Sequence, residues 1–552
     1  MSAVLPSVST ALRKAGDMAL SVNAMRKRGL FNPLRPDHAL SSALNVGKYG
    51  PFAGVIMHVA KTTPHAPAIV DERGELTFAE VDAQSNQVAR GLAARGLTQG
   101  DVVAVLARDH RGMVLSLAAT GKLGVRAVLM NTGFAKPQFA DVAARENVKA
   151  VLHDSEFVEL MSAIPEEIPR ILTWVDEKDG VDASIPTLDS LRLDRSPDAV
   201  PAPEKPGGMI ILTSGTTGTP KGAPREKVSP FISAQFLDRI PLPRNGTMVV
   251  AAPIFHATGL SQFTLGLALG NRMVFQQRRF DPENTLANIT KYQASSLVVV
   301  PTMLQRMLDL PAETLAKYDM SSLRMLFAAG SAIPPDVVTR TLDYFGDVLY
   351  NVYGSTECAV ITVAAPEDLR IAPTTAGRPP VGIRLALYDE DRKRITAPNV
   401  TGTIFIENAH SFKAYTDGRT KETVDGMMSS GDVGHFDEHG LLFIDGRDDD
   451  MIVSGGENVF PQEVEHLIAN RPDVLEAAVV GVDDREFGKR LRAIVVPGPE
   501  SSRSAEEIKD FVKANLARYK VPREVIFLDE LPRNATGKLL RKPLMEMDPA
   551  AE

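Results

Sequence analysis

Between residues 60 and 350, short β-branched runs alternate with longer stretches whose apolar positions recur every three or four residues. The runs "DVVAVLA" (101–107), "RAVLMN" (126–131), "KAVLHD" (149–154), "GMIILT" (208–213), "TMVVAAP" (247–253), "SLVVVP" (296–301) and "RMLFAAG" (324–330) predict buried strands. The stretch "TFAEVDAQSNQVARGLAARG" (77–96) has helical spacing. Strand–helix–strand alternation predicts an α/β body with largely parallel sheets, in which ligands bind at loops leaving the strand C-termini. After about residue 400 the texture changes: "TGTIFIEN" (401–408) and "GLLFIDG" (440–446) predict short antiparallel strands of a β-rich subdomain. Beyond Gly446 the order is short strand, helix "PQEVEHLIAN", strands "EAAVVGV" and "LRAIVVPG", helix "SAEEIKDFVKANLARY", strand "REVIFL", which predicts a separate small α+β domain. The expected division is an N-terminal extension (1–50), a large multi-subdomain body (51–445) and a small C-terminal domain (446–552).

The extension carries Leu12, Met18, Leu20, Val22 and Met25 among Arg13, Lys14, Arg26, Lys27 and Arg28. Such a basic amphipathic helix fits an anionic membrane surface, or a helix docked on its own domain; docking is the first expectation. No apolar run spans a bilayer, because Lys122 and Arg126 interrupt the best stretch, and the start lacks the pattern of a signal peptide. With 44% hydrophobic and 24% charged residues and mean hydropathy −0.06, a cytoplasmic enzyme is expected. The net charge of −8 argues against a nucleic-acid partner, and the single Cys358 excludes internal disulfides and multi-cysteine metal sites. The oligomeric state is not legible.

The densest chemistry is "TSGTTGTPKG" (213–222), where Thr213, Ser214, Gly215, Thr216, Thr217, Gly218 and Lys221 bring hydroxyls, backbone amides and one cation together directly after a strand. That composition suits wrapping a polyphosphate; a plain Ser/Thr/Gly linker is the alternative. It is not the P-loop of nucleoside triphosphatases: Pro220 precedes the lysine, and Gly222 stands where a magnesium-binding hydroxyl is required.

"LTSGTTGTPKG" resembles the phosphate loop of the adenylate-forming superfamily, which includes acyl-CoA synthetases, luciferases and peptide-synthetase adenylation domains. "PIFHATG" (253–259), "AAGSAIPP" (328–335), "VYGSTE" (352–357), "SSGDVG" (429–434), "GRDDDMIVSGGENVFPQEVE" (446–465) and "PRNATGKLLRK" (532–542) are similar to its later motifs, in the same order. The resemblance implies ATP, Mg2+ and CoA as cofactors, with Glu357 holding the metal and Thr356 donating to the α-phosphate. It implies an adenine shelf from Gly330, Ser331, Ala332, Tyr353 and Gly354, and ribose contacts from Asp432 and Arg447. Gly455, Gly456 and Glu457 would border the pantetheine path, and Asp449 would be the hinge. Lys538, on residue type alone an ordinary surface charge, becomes by resemblance the lysine that bridges carboxylate and α-phosphate. His256 and Gly259 would line the acyl pocket, His256 as an aromatic wall in preference to a base. Cys358 reads as a packing residue.

The expected reaction is ATP-dependent activation of a carboxylic acid to acyl-AMP, then thioesterification to CoA. Because "FHATGLSQFTLGLALGNRMV" carries no charge before Arg272, a medium- or long-chain fatty acid is the first expectation, and an aryl acid the alternative. Delivery to a carrier-protein thiol is a second alternative, although the chain runs only a short way past Lys538 with no carrier domain expected there. His256 stands where amino-acid-activating relatives place an aspartate, which argues against an amino-acid substrate.

Overall fold

Each β-branched run of the large domain becomes a strand: Val102–Leu106, Arg126–Leu129, Ala150–Asp154, Met209–Thr213, Thr247–Val250, Ser296–Val299 and Met325–Ala329. The computed structural model describes residues 8–176, 179–180, 182–213, 221–225, 230–276, 279–355, 357–408, 420–447, 452–454, 457–484, 488–499, 503–516, 520–534 and 538–547. These strands divide between two sheets. The first runs Arg170–Trp174, Ala150–Asp154, Val102–Leu106, Arg126–Leu129, Met209–Thr213, Lys221–Arg225, and is parallel except at the last edge. The second runs Ala359–Ala364, Leu349–Ser355, Met325–Ala329, Ser296–Val299, Thr247–Val250, Arg272–Phe275, Pro67–Asp71, Gly74–Thr77. Its six interior strands are parallel and both outermost pairings are antiparallel.

One apolar core joins the sheets. Val103 and Ala127 of the first meet Val250 and Met273 of the second through Val55 and Ile56, Met113 and Leu117, and Leu260 and Phe263. These lie on helices Pro51–Thr62, Arg111–Leu123 and Ala257–Ala268. Helix Phe78–Ala93 begins on a reciprocal cap: the Glu80 amide donates to Thr77 Oγ1 at 3.2 Å, and the Thr77 amide donates to Glu80 Oε2 at 2.7 Å. Its buried face carries Phe78, Val81, Val88 and Leu92. Lys122, which interrupts the apolar stretch in sequence, is 0% exposed yet fully engaged. Its ammonium donates to the Asp82 carbonyl (2.9 Å) and to Asp82 Oδ1, Ser85 Oγ and Asn86 Oδ1 (each 2.7 Å).

The β-rich subdomain is an antiparallel sheet of Arg394–Ile395, Arg384–Tyr388, Gly402–Glu407, Met427–Phe436 and Thr423–Val424, with Leu442–Arg447 on Met427–Phe436. A fourth sheet, built wholly after residue 451, pairs Glu457–Val459, Ile452–Ser454, Gly488–Pro497 and Val474–Asp484, with Glu524–Phe527 parallel to Gly488–Pro497. Helices Pro461–Ala469 and Ala505–Asn515 supply Val464, Ile468, Ile508 and Val512 to one of its cores, and Leu544 of helix Arg541–Glu546 packs with Ala478 and Val480 in another.

The N-terminal extension folds into helices Val8–Lys27 and Pro36–Tyr49. The first is docked by polar contacts: Arg13 to Glu407 at 2.9 Å, Asp17 to Arg384, and Arg28 Nε to the Leu237 carbonyl at 3.1 Å. Met18 and Leu20 remain exposed. Among the described residues no helix is long and apolar enough to cross a membrane.

Candidate active site

The C-terminal ends of parallel strands from both sheets converge on one cavity of about 1820 Å3. Ala251–Pro253 follow strand Thr247–Val250, Val300 follows Ser296–Val299, and Gly330–Ala332 follow Met325–Ala329. From the other sheet come Arg108 and Asp109, after Val102–Leu106, and Thr132 and Gly133, after Arg126–Leu129. This is where a doubly wound sheet presents ligand loops.

The polar half of the cavity is built across two sheets. Tyr353 lies near the end of strand Leu349–Ser355, and its phenol donates to Asp432 Oδ2. Burial, reinforced by that carboxylate, pushes the Tyr353 hydroxyl well above its ordinary range, so it is a fixed donor. Asp432 comes from strand Met427–Phe436, and its register partner on the adjoining strand is Arg447, whose Nη1 lies 3.7 Å from Asp432 Oδ1. The Asp432 amide donates to Ser430 Oγ at 3.0 Å. Glu357, half-buried, faces the same space. The turn that carries it is tight: Ala359 has φ +62°, and a Cβ on Gly354 would fall 2.0 Å from the Ala359 carbonyl, so only glycine fits. Gly330 turns at φ +110°, and with Ser331 and Ala332 forms an exposed shelf on the cavity wall.

From the small domain, Arg533, Asn534 and Lys538 reach the cavity, together with Gln462 and His466. The Lys538 segment is a closed hairpin: Arg533 bridges Leu539, the Asn534 amide donates to the Lys538 carbonyl, and the Lys538 amide donates to Asn534 Oδ1, both at 2.9 Å. Lys538 itself is exposed.

The apolar half includes Phe236, Phe255, Leu260 and Leu265 around His256. Burial drives the His256 imidazole down to about 4, and its Nε2 has no hydrogen-bond partner, so the ring is neutral and packs against Phe255, tilted by 49° with centroids 4.4 Å apart. It lines the cavity as a wall. Gly259 does not: a Cβ there would meet the Pro253 carbonyl at 2.2 Å, so it lets its helix approach that backbone and faces away from the cavity lining. Arg272, which ends the uncharged stretch in sequence, also lies outside the lining; it bonds Thr247 and the Tyr292 carbonyl. Cys358 is buried, its thiol pushed up to about 12 by burial, consistent with a packing residue.

Several expected residues lie outside the described set: Ser214, Gly215, Thr216, Thr217, Gly218, Thr356, Asp449, Gly455 and Gly456. For Thr213, Lys221 and Glu457 the backbone alone is placed. Thr213 pairs with Lys221 across the antiparallel edge of the first sheet, and Ser454 pairs with Glu457 in the small domain. Residue order alone did not find Asp109, Lys421 or the N-terminal residues Met25, Phe31, Ala39 and Ala43, all of which line the cavity. Asp109 is half-buried at the cavity wall, and its carboxylate accepts from the Ile254 amide at 3.1 Å; desolvation outweighs that bond and raises it to about 7. Lys421 donates to the Ser430 carbonyl at 3.3 Å, beside Asp432.

Among the described residues no group of three or more histidine, cysteine, aspartate or glutamate side chains could hold a metal. A lone Glu357 facing a polyphosphate site suits magnesium, which takes few protein carboxylates and fills its octahedron with phosphate oxygens and water.

Tyr353, Asp432, Arg447 and Glu357, together with Lys538 from the C-terminal part of the chain, line one cavity, an arrangement that suits an AMP-forming ligase of the adenylate-forming superfamily. Residues 56–416 match the family model of AMP-binding enzymes, and residues 463–538 match that of the AMP-binding enzyme C-terminal domain; the chain belongs to this family. It is 32% identical to an indoleacetate–CoA ligase of Aromatoleum aromaticum, over 88% of this chain and 95% of the relative. It is also 32% identical to a 2-succinylbenzoate–CoA ligase of Bacillus licheniformis, over 88% and 98%. A solved anthranilate–CoA ligase in complex with anthranoyl-AMP superposes with TM-score 0.80 at 25% identity, over 89% of this chain and 96% of that one.

Proposed function

We propose that the protein joins an aromatic or arylalkyl carboxylic acid to CoA through an acyl-adenylate, using ATP and magnesium. In the first half-reaction a carboxylate oxygen attacks the α-phosphorus, the bond to the β-phosphate oxygen breaks and pyrophosphate leaves. In the second, the CoA sulfur attacks the acyl carbon and AMP leaves. The first barrier is dominated by repulsion between two anions, so it calls for oriented cations and donors.

The observation that carries this reading is the shared cavity. Tyr353, Asp432, Arg447, Glu357 and Lys538 line it together with the neutral His256 wall. Asp432 and Arg447 would hold the ribose, and Gly330–Ala332 the adenine. Glu357 would hold magnesium, which supplies charge neutralisation at the phosphates, and Lys538 would span acid and α-phosphate. An acid–thiol ligase acting on a ring-bearing acid is supported by the relatives, whose named substrates are indoleacetate, 2-succinylbenzoate and anthranilate. Straight-chain fatty acids, the first expectation from the apolar wall, have no such support. Phe236, Phe255 and the uncharged His256 suit a planar ring.

The test is a panel of acids assayed for AMP release and CoA thioester formation. Indoleacetate, benzoate and cinnamate should exceed octanoate and palmitate in kcat/KM by about tenfold or more. A preference for the alkanoates would overturn the aryl assignment, and thioester formed only on a carrier protein would overturn CoA as acceptor.

A further inference from the structure

The family match begins at residue 56, yet the cavity wall begins earlier. Met25 and Phe31 bracket the turn after the first helix, and Ala39, Ala43 and Val46 lie along helix Pro36–Tyr49; all five face the cavity. The extension is fixed there. Leu30 and Val46 pack on the main core, and Arg28 holds the carbonyl of Leu237, on helix Pro230–Arg239, whose own Ile232 and Phe236 line the same space. Ala43 is exposed, so this wall also forms a mouth.

Size gives this arrangement a consequence. Ligand pockets usually span about 300–1,000 Å3, whereas this cavity measures about 1820 Å3. The wall formed by residues 25–46 is tied by the Arg28–Leu237 bond to helix Pro230–Arg239, whose Ile232 and Phe236 also line the cavity. That stretch of wall is mostly apolar, with Ser42 its one polar side chain and two small alanines, Ala39 and Ala43, among its residues.

Resting on the ligase reading above, we propose that the N-terminal extension is the outer wall of the acyl pocket and selects acids carrying an extended apolar substituent beyond the ring. Met25, Phe31, Ala39 and Ala43 are its specificity-determining residues. The adenylate sits at the Tyr353–Asp432 end, the ring beside His256, and the substituent runs between helices Pro36–Tyr49 and Pro230–Arg239.

The experiment uses the full-length protein and a series of 4-alkylbenzoates from methyl to octyl, with AMP release and thioester as readouts. In the wild type kcat/KM should rise with substituent length. Ala39→Trp, which fills the wall, should lower the octyl-to-methyl ratio by about tenfold or more, while Phe31→Ala should move the optimum to longer substituents. Thermal melting identifies any variant that fails to fold, and the remaining one then decides. A ratio unchanged in a folded variant overturns the wall but leaves the ligase reading intact. Absence of AMP release from the wild type with every acid overturns the ligase reading, and this proposal with it.

Discussion

Asp109 shows how a residue acquires a chemical character its sequence neighbours do not announce. The residue is half-buried at the cavity wall, and the Ile254 amide offsets only part of the desolvation of its carboxyl. The folded protein therefore prefers the acid form up to about pH 7, whereas an unfolded aspartate releases its proton near 3.8. Between those values the native state binds more protons than the unfolded state, so stability falls as pH rises through this window and levels off above it. Asp109→Asn keeps an oxygen for the Ile254 amide and removes the charge. It should raise stability at pH 8 by roughly 2–4 kcal/mol and flatten the difference in denaturant midpoint between pH 5 and pH 8. An unchanged pH difference would place its titration elsewhere. His256 illustrates the complementary case: burial holds it near 4, so it stays neutral across the same range and adds no charge to the acyl wall.

At the scale of elements, helices Phe78–Ala93 and Arg111–Leu123 meet over a buried cation. Lys122, lowered to about 8 by burial, is still charged at neutral pH, and four oxygens surround its ammonium. Lys122→Met would leave Asp82, Ser85 and Asn86 facing an apolar tip, at a cost of about 3–5 kcal/mol, read as a lowered thermal midpoint; a loss under about 1 kcal/mol would mean water replaces the ammonium. The same elements show what a sequence displays. Interior strands such as Ser296–Val299 and Met325–Ala329 were legible because a strand buried on both faces must be apolar throughout. Edge strand Lys221–Arg225 was not: "KGAPR" has no β pattern and contains Pro224, and it is a strand only because it pairs with Met209–Thr213 at an edge that tolerates proline. The site divides in the same way. Tyr353, Glu357, Asp432 and Lys538 were named through motif resemblance, Lys538 being an ordinary surface charge by residue type alone, and all four line the cavity. Asp109 and the wall at Met25, Phe31 and Ala39 could not be named that way, because their place in the cavity arises from contacts across more than a hundred residues.

For the whole molecule, one cavity gathers cations from the β-rich sheet and from the C-terminal part of the chain. Arg447 ends the last strand of the β-rich sheet, and Lys538 arrives on a hairpin of the small domain. Adenylation brings a carboxylate against an α-phosphate, and a cation that touches both lowers that barrier directly. Thioester formation starts from a mixed anhydride, whose phosphate keeps one negative charge but whose acyl carbon carries none, and a thiol, so no second anion has to be driven against the phosphate. On the role proposed for Lys538, the two half-reactions differ in their need for it. Lys538→Ala should slow pyrophosphate release by about 100-fold or more, while CoA thioester formation from supplied acyl-adenylate should fall far less. The two rates are measured separately, the first by pyrophosphate release in a single turnover and the second by thioester appearance. The bonds that hold Lys538 to Asn534 run through its backbone and survive the substitution, so a general loss of folding would not explain a one-sided effect. Equal losses in both halves would mean that Lys538 organises the small domain as a whole and is not the bridge between acid and phosphate.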